Sequence, residues 1–187
     1  MTMLSSLKKR ILGFAQREDG SIMVEVVMTL PILLLALAAT YEFFEVHRFQ
    51  STRDKASYTI SDMLSRELAP VNDDYITNAK TVFDEITNDN TANQLRVSII
   101  KYDLDTDEYS IVWSEVRGNG DLVALTSADV AGDHERLPTM ADGEEVILVE
   151  SRSTYDPLFK VGLNDNLKIG SRVVTSPRFA PQIVWES

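Results

Sequence analysis

Hydrophobic positions follow three patterns along the chain, and the first is a continuous run. Residues 21–41 read SIMVEVVMTLPILLLALAATY, with Glu25 as the only charge. As a helix rising about 1.5 Å per residue, the run is about 31 Å long, enough to cross a bilayer core. Without Glu25, the uncharged stretch from Val26 to Tyr41 covers only about 24 Å, which places the carboxylate near the membrane edge. Pro31 removes one helical hydrogen bond and predicts a kink, which membrane helices tolerate better than soluble ones.

The second pattern is amphipathic. Beyond Tyr41 the helix is expected to continue out of the membrane, with apolar residues at Phe43, Phe44, Phe49, Ala56, Ile60, Met63, Leu64 and Leu68. From Ile60 onward the three-to-four residue spacing marks one buried face. Arg53, Asp54, Asp62 and Arg66 are expected to face water, and Ala69-Pro70 to end the helix. A second helix is predicted over 73–87, with Tyr75, Ala79, Val82, Phe83 and Ile86 on one side and Asn72 or Asp73 as its cap.

The third pattern is β-rich. Leu95–Tyr102 and Tyr109–Trp113 read as strands joined by a polar turn at 103–108. Glu145–Ser151 and Arg172–Thr175 are further strands, and Gln182–Trp185 a short last one. Between Gly118 and Gly143 lies a loop rich in glycine, with a short element around Leu122–Leu125. The predicted fold class is therefore α+β: a long N-terminal hydrophobic helix, transmembrane and extended outside, followed by a second helix and a small antiparallel sheet.

Charge and composition sharpen this picture. At 187 residues, 44% hydrophobic and 25% charged, the chain has room for one folded domain plus an anchor. A net charge of -11 argues against a nucleic-acid partner, which requires a basic surface. The first twenty residues depart from that acidity, with Lys8, Lys9, Arg10 and Arg17 against Glu18 and Asp19. A basic head on an acidic body predicts a cytoplasmic N-terminus and an exported remainder. The absence of cysteine excludes disulfides, cysteine metal sites and thiol catalysis.

Few residues form a chemical constellation. Asp103, Asp105 and Asp107 resemble the start of a calcium loop, but Glu108 and Ser114 stand where an EF-hand needs glycine and a bidentate acid. A hairpin turn with solvated acids fits better, and weak cation binding stays open. His47 and His134 are far apart, and neither has a neighbour at metal-ligand spacing. Trp113 and Trp185 read as core residues, and Arg178, in a bend at Pro177-Arg178-Phe179, as a salt-bridged surface residue. There is no nucleophile elbow, phosphate loop or dinucleotide fingerprint, so neither an enzyme nor a cofactor is expected.

Three readings of the apolar run remain. It is an uncleaved signal anchor, held by the basic residues before it. Alternatively, it is a secretory signal peptide, with Ala36-Leu37-Ala38 near the cleavage site. The third reading accounts for Glu25: Gly20 followed by Ser21-Ile22-Met23-Val24-Glu25, after a basic leader, resembles the type IV prepilins. That resemblance implies cleavage after Gly20, a free amine on Ser21, and pairing of Glu25 with a neighbouring subunit's N-terminus. Glu25 would then be an assembly residue, its charge compensated inside the membrane.

The stretch REDGSIMVEVVMTLPILLLALAATYEFFEV resembles more narrowly the TadE/TadF-like proteins of tight-adherence (Tad, Flp-type, type IVc) pilus systems. The match rests on Arg17, Gly20, Val24-Glu25, Pro31, Leu33-Leu34-Leu35 and the aromatic-acid exit Tyr41-Glu42-Phe43-Phe44, and covers about residues 14–48. Ser21 and Met23 depart from the Phe-first pattern of the type IV and type II secretion pilins. The resemblance implies a pilin-like fold and a minor pilin or pseudopilin processed by a membrane prepilin peptidase. Such a protein takes part in Flp pilus assembly and cell adhesion, with other pilin or pseudopilin subunits and an assembly platform as partners. The expected organisation is a cytoplasmic leader (1–20), a transmembrane and assembly helix (21–41) and a periplasmic or extracellular α+β domain (42–187), anchored once in a bacterial inner membrane. Two other functions stay open: a periplasmic sensor or binding module on an uncleaved anchor, and an exported enzyme released by signal peptidase.

Overall fold

The computed structural model of the chain describes residues 13, 18–88, 91–160 and 166–186. Most of the expected leader lies outside them. The chain divides into two compact units, Met1–Phe44 with Leu158–Gly162 and Glu45–Pro157 with Leu163–Ser187.

One helix, α1 (Glu18–Ser65), runs for 48 residues through the apolar run and beyond it, without a break at Pro31. It stops before the predicted Ala69-Pro70. The last turn tightens into shorter bonds, Arg66 N to Met63 O (3.2 Å) and Glu67 N to Leu64 O (3.1 Å), while the Ser65 carbonyl accepts the Arg178 N–H. The Glu67 carboxylate then accepts the N–H groups of Leu68 and Ala69, which fixes the exit. Leu68 is exposed as a result, off the stripe assigned to it, and Met63 lies at the edge of that stripe.

The second helix, α2 (Asp73–Thr87), has the predicted bounds. The Asn72 side chain accepts the Tyr75 N–H at 3.0 Å, and Asn88 ends the helix in the left-handed conformation. Its deepest residues are Ile76, Ala79, Phe83 and Thr87, with Tyr75, Val82 and Ile86 flanking them.

Four strands form one antiparallel sheet: β1 (Asn93–Asp103), β2 (Glu108–Arg117), β3 (Glu145–Tyr155) and β4 (Leu167–Thr175), in the order β2-β1-β3-β4. All four outrun the predicted segments because polar ends such as Asn93 and Ser153 still pair across the sheet. A bulge between Ile99 and Ile100 leaves Val112 without a partner, and its side chain is exposed. A single turn, α3 (Ser127–Val130), replaces the element predicted around Leu122–Leu125, which is irregular. The predicted strand 182–185 is also absent. That segment makes one parallel bridge, Val71 to Trp185, outside the sheet, and Ile183 O instead accepts the Trp113 indole N–H at 2.7 Å.

Within the second unit, each sheet face is covered. Ala56, Ile60 and Leu64 of α1 and Ile76, Ala79 and Phe83 of α2 meet Leu95, Val97, Ile99, Trp113, Ile147 and Val149 on one face. On the other, Val130, Leu137 and Met140 cover Ile100, Tyr102, Tyr109, Val146 and Leu148. Trp113 is buried in the first core as expected, and Trp185, half-buried, packs against it with ring centroids 5.1 Å apart. Arg96, paired with Glu150 across the sheet (2.5 Å), also holds the long loop to this face by donating to the Val123 carbonyl (2.8 Å).

Candidate functional site

From Ile22 to Leu37 every described side chain of α1 is exposed, among them Leu33, Leu34 and Leu35. Among the described residues, this is the one helix long and apolar enough to cross a membrane. Monomeric soluble proteins rarely expose an apolar patch larger than a few hundred Å², on the order of magnitude, and larger ones mark membrane or protein contacts.

The predicted site residues line up along this surface. Gly20 and Ser21 lie in the first turns of α1, so the Gly20–Ser21 bond is helical; the side chains of 18–21 are outside the described ones. A glycine in an end turn is where a helix opens at least cost. Glu25 is exposed, one turn on from Ser21 and on the same side of the helix. Thr29 returns its hydroxyl to the Glu25 carbonyl at 2.8 Å, and Thr40 does the same to Ala36, so neither presents a free donor to an apolar medium. Pro31 has no N–H to offer the Val27 carbonyl, the local weakness that favours bending.

The far end of the run holds a carboxylate that sequence reading did not single out. Glu42 is 1% exposed, and its Oε2 accepts the backbone N–H of Phe159 at 3.0 Å. The Phe159 ring meets Tyr41 edge-on, with centroids 5.8 Å apart. Tyr41, Phe43, Phe44, Leu158 and Phe159 are all exposed. Glu42 appears in the sequence only as part of an aromatic-acid exit, because its partner comes from a distant segment.

Arg53 corrects a second expectation. Assigned to water, it is 1% exposed. Its guanidinium donates to Phe49 O (3.1 Å), Thr91 Oγ1 (2.9 Å) and Asn93 Oδ1 (3.3 Å) and lies over the Phe49 ring. Asn93 in turn donates to Asp84 (3.0 Å) and Thr87 (3.2 Å) and accepts from Ser153 (2.5 Å). The cluster joins both helices to β1 and β3 through hydrogen bonds. Beside it runs a ladder of hydroxyls: Ser57 to Ser171 (2.5 Å), Ser151 to Ser171 (2.8 Å) and Ser61 to Thr175 (2.7 Å). The signal for both was the helical period, which puts 53, 57 and 61 beside the 56, 60, 64 stripe.

The acidic turn is held by its own acids and by Asp142 of the long loop. Asp103 accepts the N–H groups of Asp105 and Thr106, Asp142 that of Leu104, and Asp107 the Tyr102 hydroxyl at 2.6 Å. That last bond, with burial and the Asp107 charge behind it, raises the Tyr102 hydroxyl to about 12. Among the described residues, no group of three or more His, Asp or Glu is placed to hold a metal ion. His47 is exposed on α1; His134 is exposed against the Tyr109 ring at 5.1 Å and 4.0 Å from Asp107. Arg178 pairs with Asp62 at 3.3 Å, as expected of a salt-bridged surface residue.

The structure thus defines an α+β protein with one exposed apolar N-terminal helix of membrane-spanning length. No protein-family model matches the chain, and no curated protein or solved structure matches it.

Proposed function

We propose that the chain is a TadE- or TadF-like minor pilin or pseudopilin, cut after Gly20 by a prepilin peptidase and acting in assembly of a Tad-type, Flp pilus and in adherence. The supporting observation is the exposed apolar surface of α1, which begins beside Glu25 and directly follows a basic leader. In this reading α1 crosses the inner membrane once and the acidic α+β part lies on the periplasmic side. Its exposed side chains pack laterally against other pilin helices, and Glu25 meets the new amine of a neighbouring Ser21. A carboxylate in that position costs several kcal/mol in lipid unless it is paired or protonated, so pairing selects one register between adjacent helices. Pro31 lets the helix bend within such a bundle.

N-terminal sequencing of the mature protein tests the cleavage directly. A start at Ser21 supports the proposal. A start near Ala39 or Thr40 points to signal peptidase and sinks it, and an intact N-terminus points to an uncleaved anchor. A Glu25→Gln variant that is cleaved and located normally is expected to lose piliation. Normal pili in that variant would remove Glu25 from assembly.

A further inference from the structure

The connection after β3 exposes two apolar residues, Leu158 (71%) and Phe159 (41%), where a hairpin linking two strands needs none. It is nonetheless held in place. The Phe159 N–H donates to the buried Glu42 carboxylate, and the Phe159 ring packs edge-on against Tyr41. Tyr41 and Glu42 stand where the apolar run of α1 ends, so these contacts fix the loop at the level of that exit. Exposed Tyr41, Phe43 and Phe44 occupy the same level. Aromatic and apolar side chains gathered there are disfavoured in water and suited to the boundary between headgroups and acyl chains. Lys160 follows, and its side chain is exposed. The Glu42 carboxylate, which would be costly facing lipid, is covered by the loop and met by an N–H.

From this placement we propose that Leu158 and Phe159 insert into the interfacial layer of the bilayer, giving the segment after β3 a second contact with lipid that does not span the membrane. The inference rests on the reading of α1 as a membrane span. Its occupant is the lipid interface, not a second copy of the chain.

The chain has no cysteine, so single labels are unambiguous. Leu158→Cys and Leu34→Cys, each carrying an environment-sensitive fluorophore, are made in the full chain and reconstituted into phosphatidylcholine–phosphatidylglycerol vesicles. Leu158 is replaced in preference to Phe159 so that the contacts to Tyr41 and Glu42 survive. Nitroxide lipids quench from the headgroup, from shallow acyl positions or from deep ones. The expected result is a loss of L158C fluorescence, greatest with headgroup and shallow nitroxides, and a loss of L34C fluorescence, greatest with deep ones. Quenching of L34C with none at L158C overturns the loop inference and leaves the span reading intact. No quenching at either position overturns both.

Discussion

Glu42 and Phe159 are 117 positions apart, yet the carboxylate of one accepts the backbone N–H of the other at 3.0 Å. A helix residue at the edge of an apolar run therefore holds a loop that follows the third strand. A hydrogen bond to a charged acceptor contributes about 1.5–3 kcal/mol, which is about one to two orders of magnitude in local opening. Glu42→Ala is expected to speed exchange of the Phe159 amide by about tenfold or more, whereas Glu42→Gln keeps an acceptor and restores much of the protection. Hydrogen exchange resolved to that amide decides it. Equal protection in all three proteins would mean the bond carries no weight.

Loss of Arg53 is expected to destabilise the second unit. Its guanidinium serves Phe49 O, Thr91 and Asn93 at once. Removing it takes a charged donor from all three, and a hydrogen bond to a charged group contributes about 1.5–3 kcal/mol. Arg53→Met is expected to destabilise by on the order of 3 kcal/mol. Arg53→Lys recovers only part, because an ammonium lacks the planar fork that reaches separate acceptors. Urea titration of the three proteins, with the midpoint as readout, checks both the direction and the order.

These two residues also show where the sequence was legible. The helix over 73–87 was readable because its cap and its spacing are both local, and strand centres were readable from their β-rich runs. Strand ends such as Asn93 were not, since the amide joins the sheet through Arg53, Asp84 and Ser153, all contributed by other elements. The apolar stretch 182–185 looks like a strand, but its apolar residues serve the core as irregular chain, with Ile183 buried against Trp113. At the candidate site, Glu25 stood out because it is the lone charge in an apolar run. Glu42 did not, because nothing near it in the chain reveals that a distant loop covers it. Arg53 was misassigned by residue type, against the helical period that placed it inside.

Gly118 lies at the start of the long loop with φ of 91°, in the left-handed region. A Cβ there would stand 2.2 Å from the Asn93 carbonyl oxygen, a backbone atom that cannot swing away. Gly118→Ala therefore combines strain with a collision, and about 1–3 kcal/mol of destabilisation is expected from the dihedral alone. Gly132 has nothing near its Cβ position, so Gly132→Ala is the matched control and is expected to leave the urea midpoint nearly unchanged. Equal midpoints for the two variants would show that the loop backbone adapts.

Glu145 gives the second unit a dependence on pH. The side chain is buried, and its Oε2 has no hydrogen-bond partner among the described residues. Burial raises its carboxyl above the usual value of 4.5, against smaller opposing effects of a backbone hydrogen bond from Ile183 and the charge of Lys101. The sign follows from proton binding. Between the ordinary and the raised value, the folded chain still holds a proton that the unfolded chain has released. This group's contribution to stability is therefore fully present below about 4.5 and is lost as pH rises through the raised value. Glu145→Gln removes the ionisation and keeps an oxygen for the Ile183 N–H. The variant is expected to melt above the parent at neutral pH, with the gap closing as pH falls below the usual carboxyl range. Melting temperatures measured in parallel from acid to neutral pH test this, and a gap independent of pH would show that the variant acts by packing and not by charge.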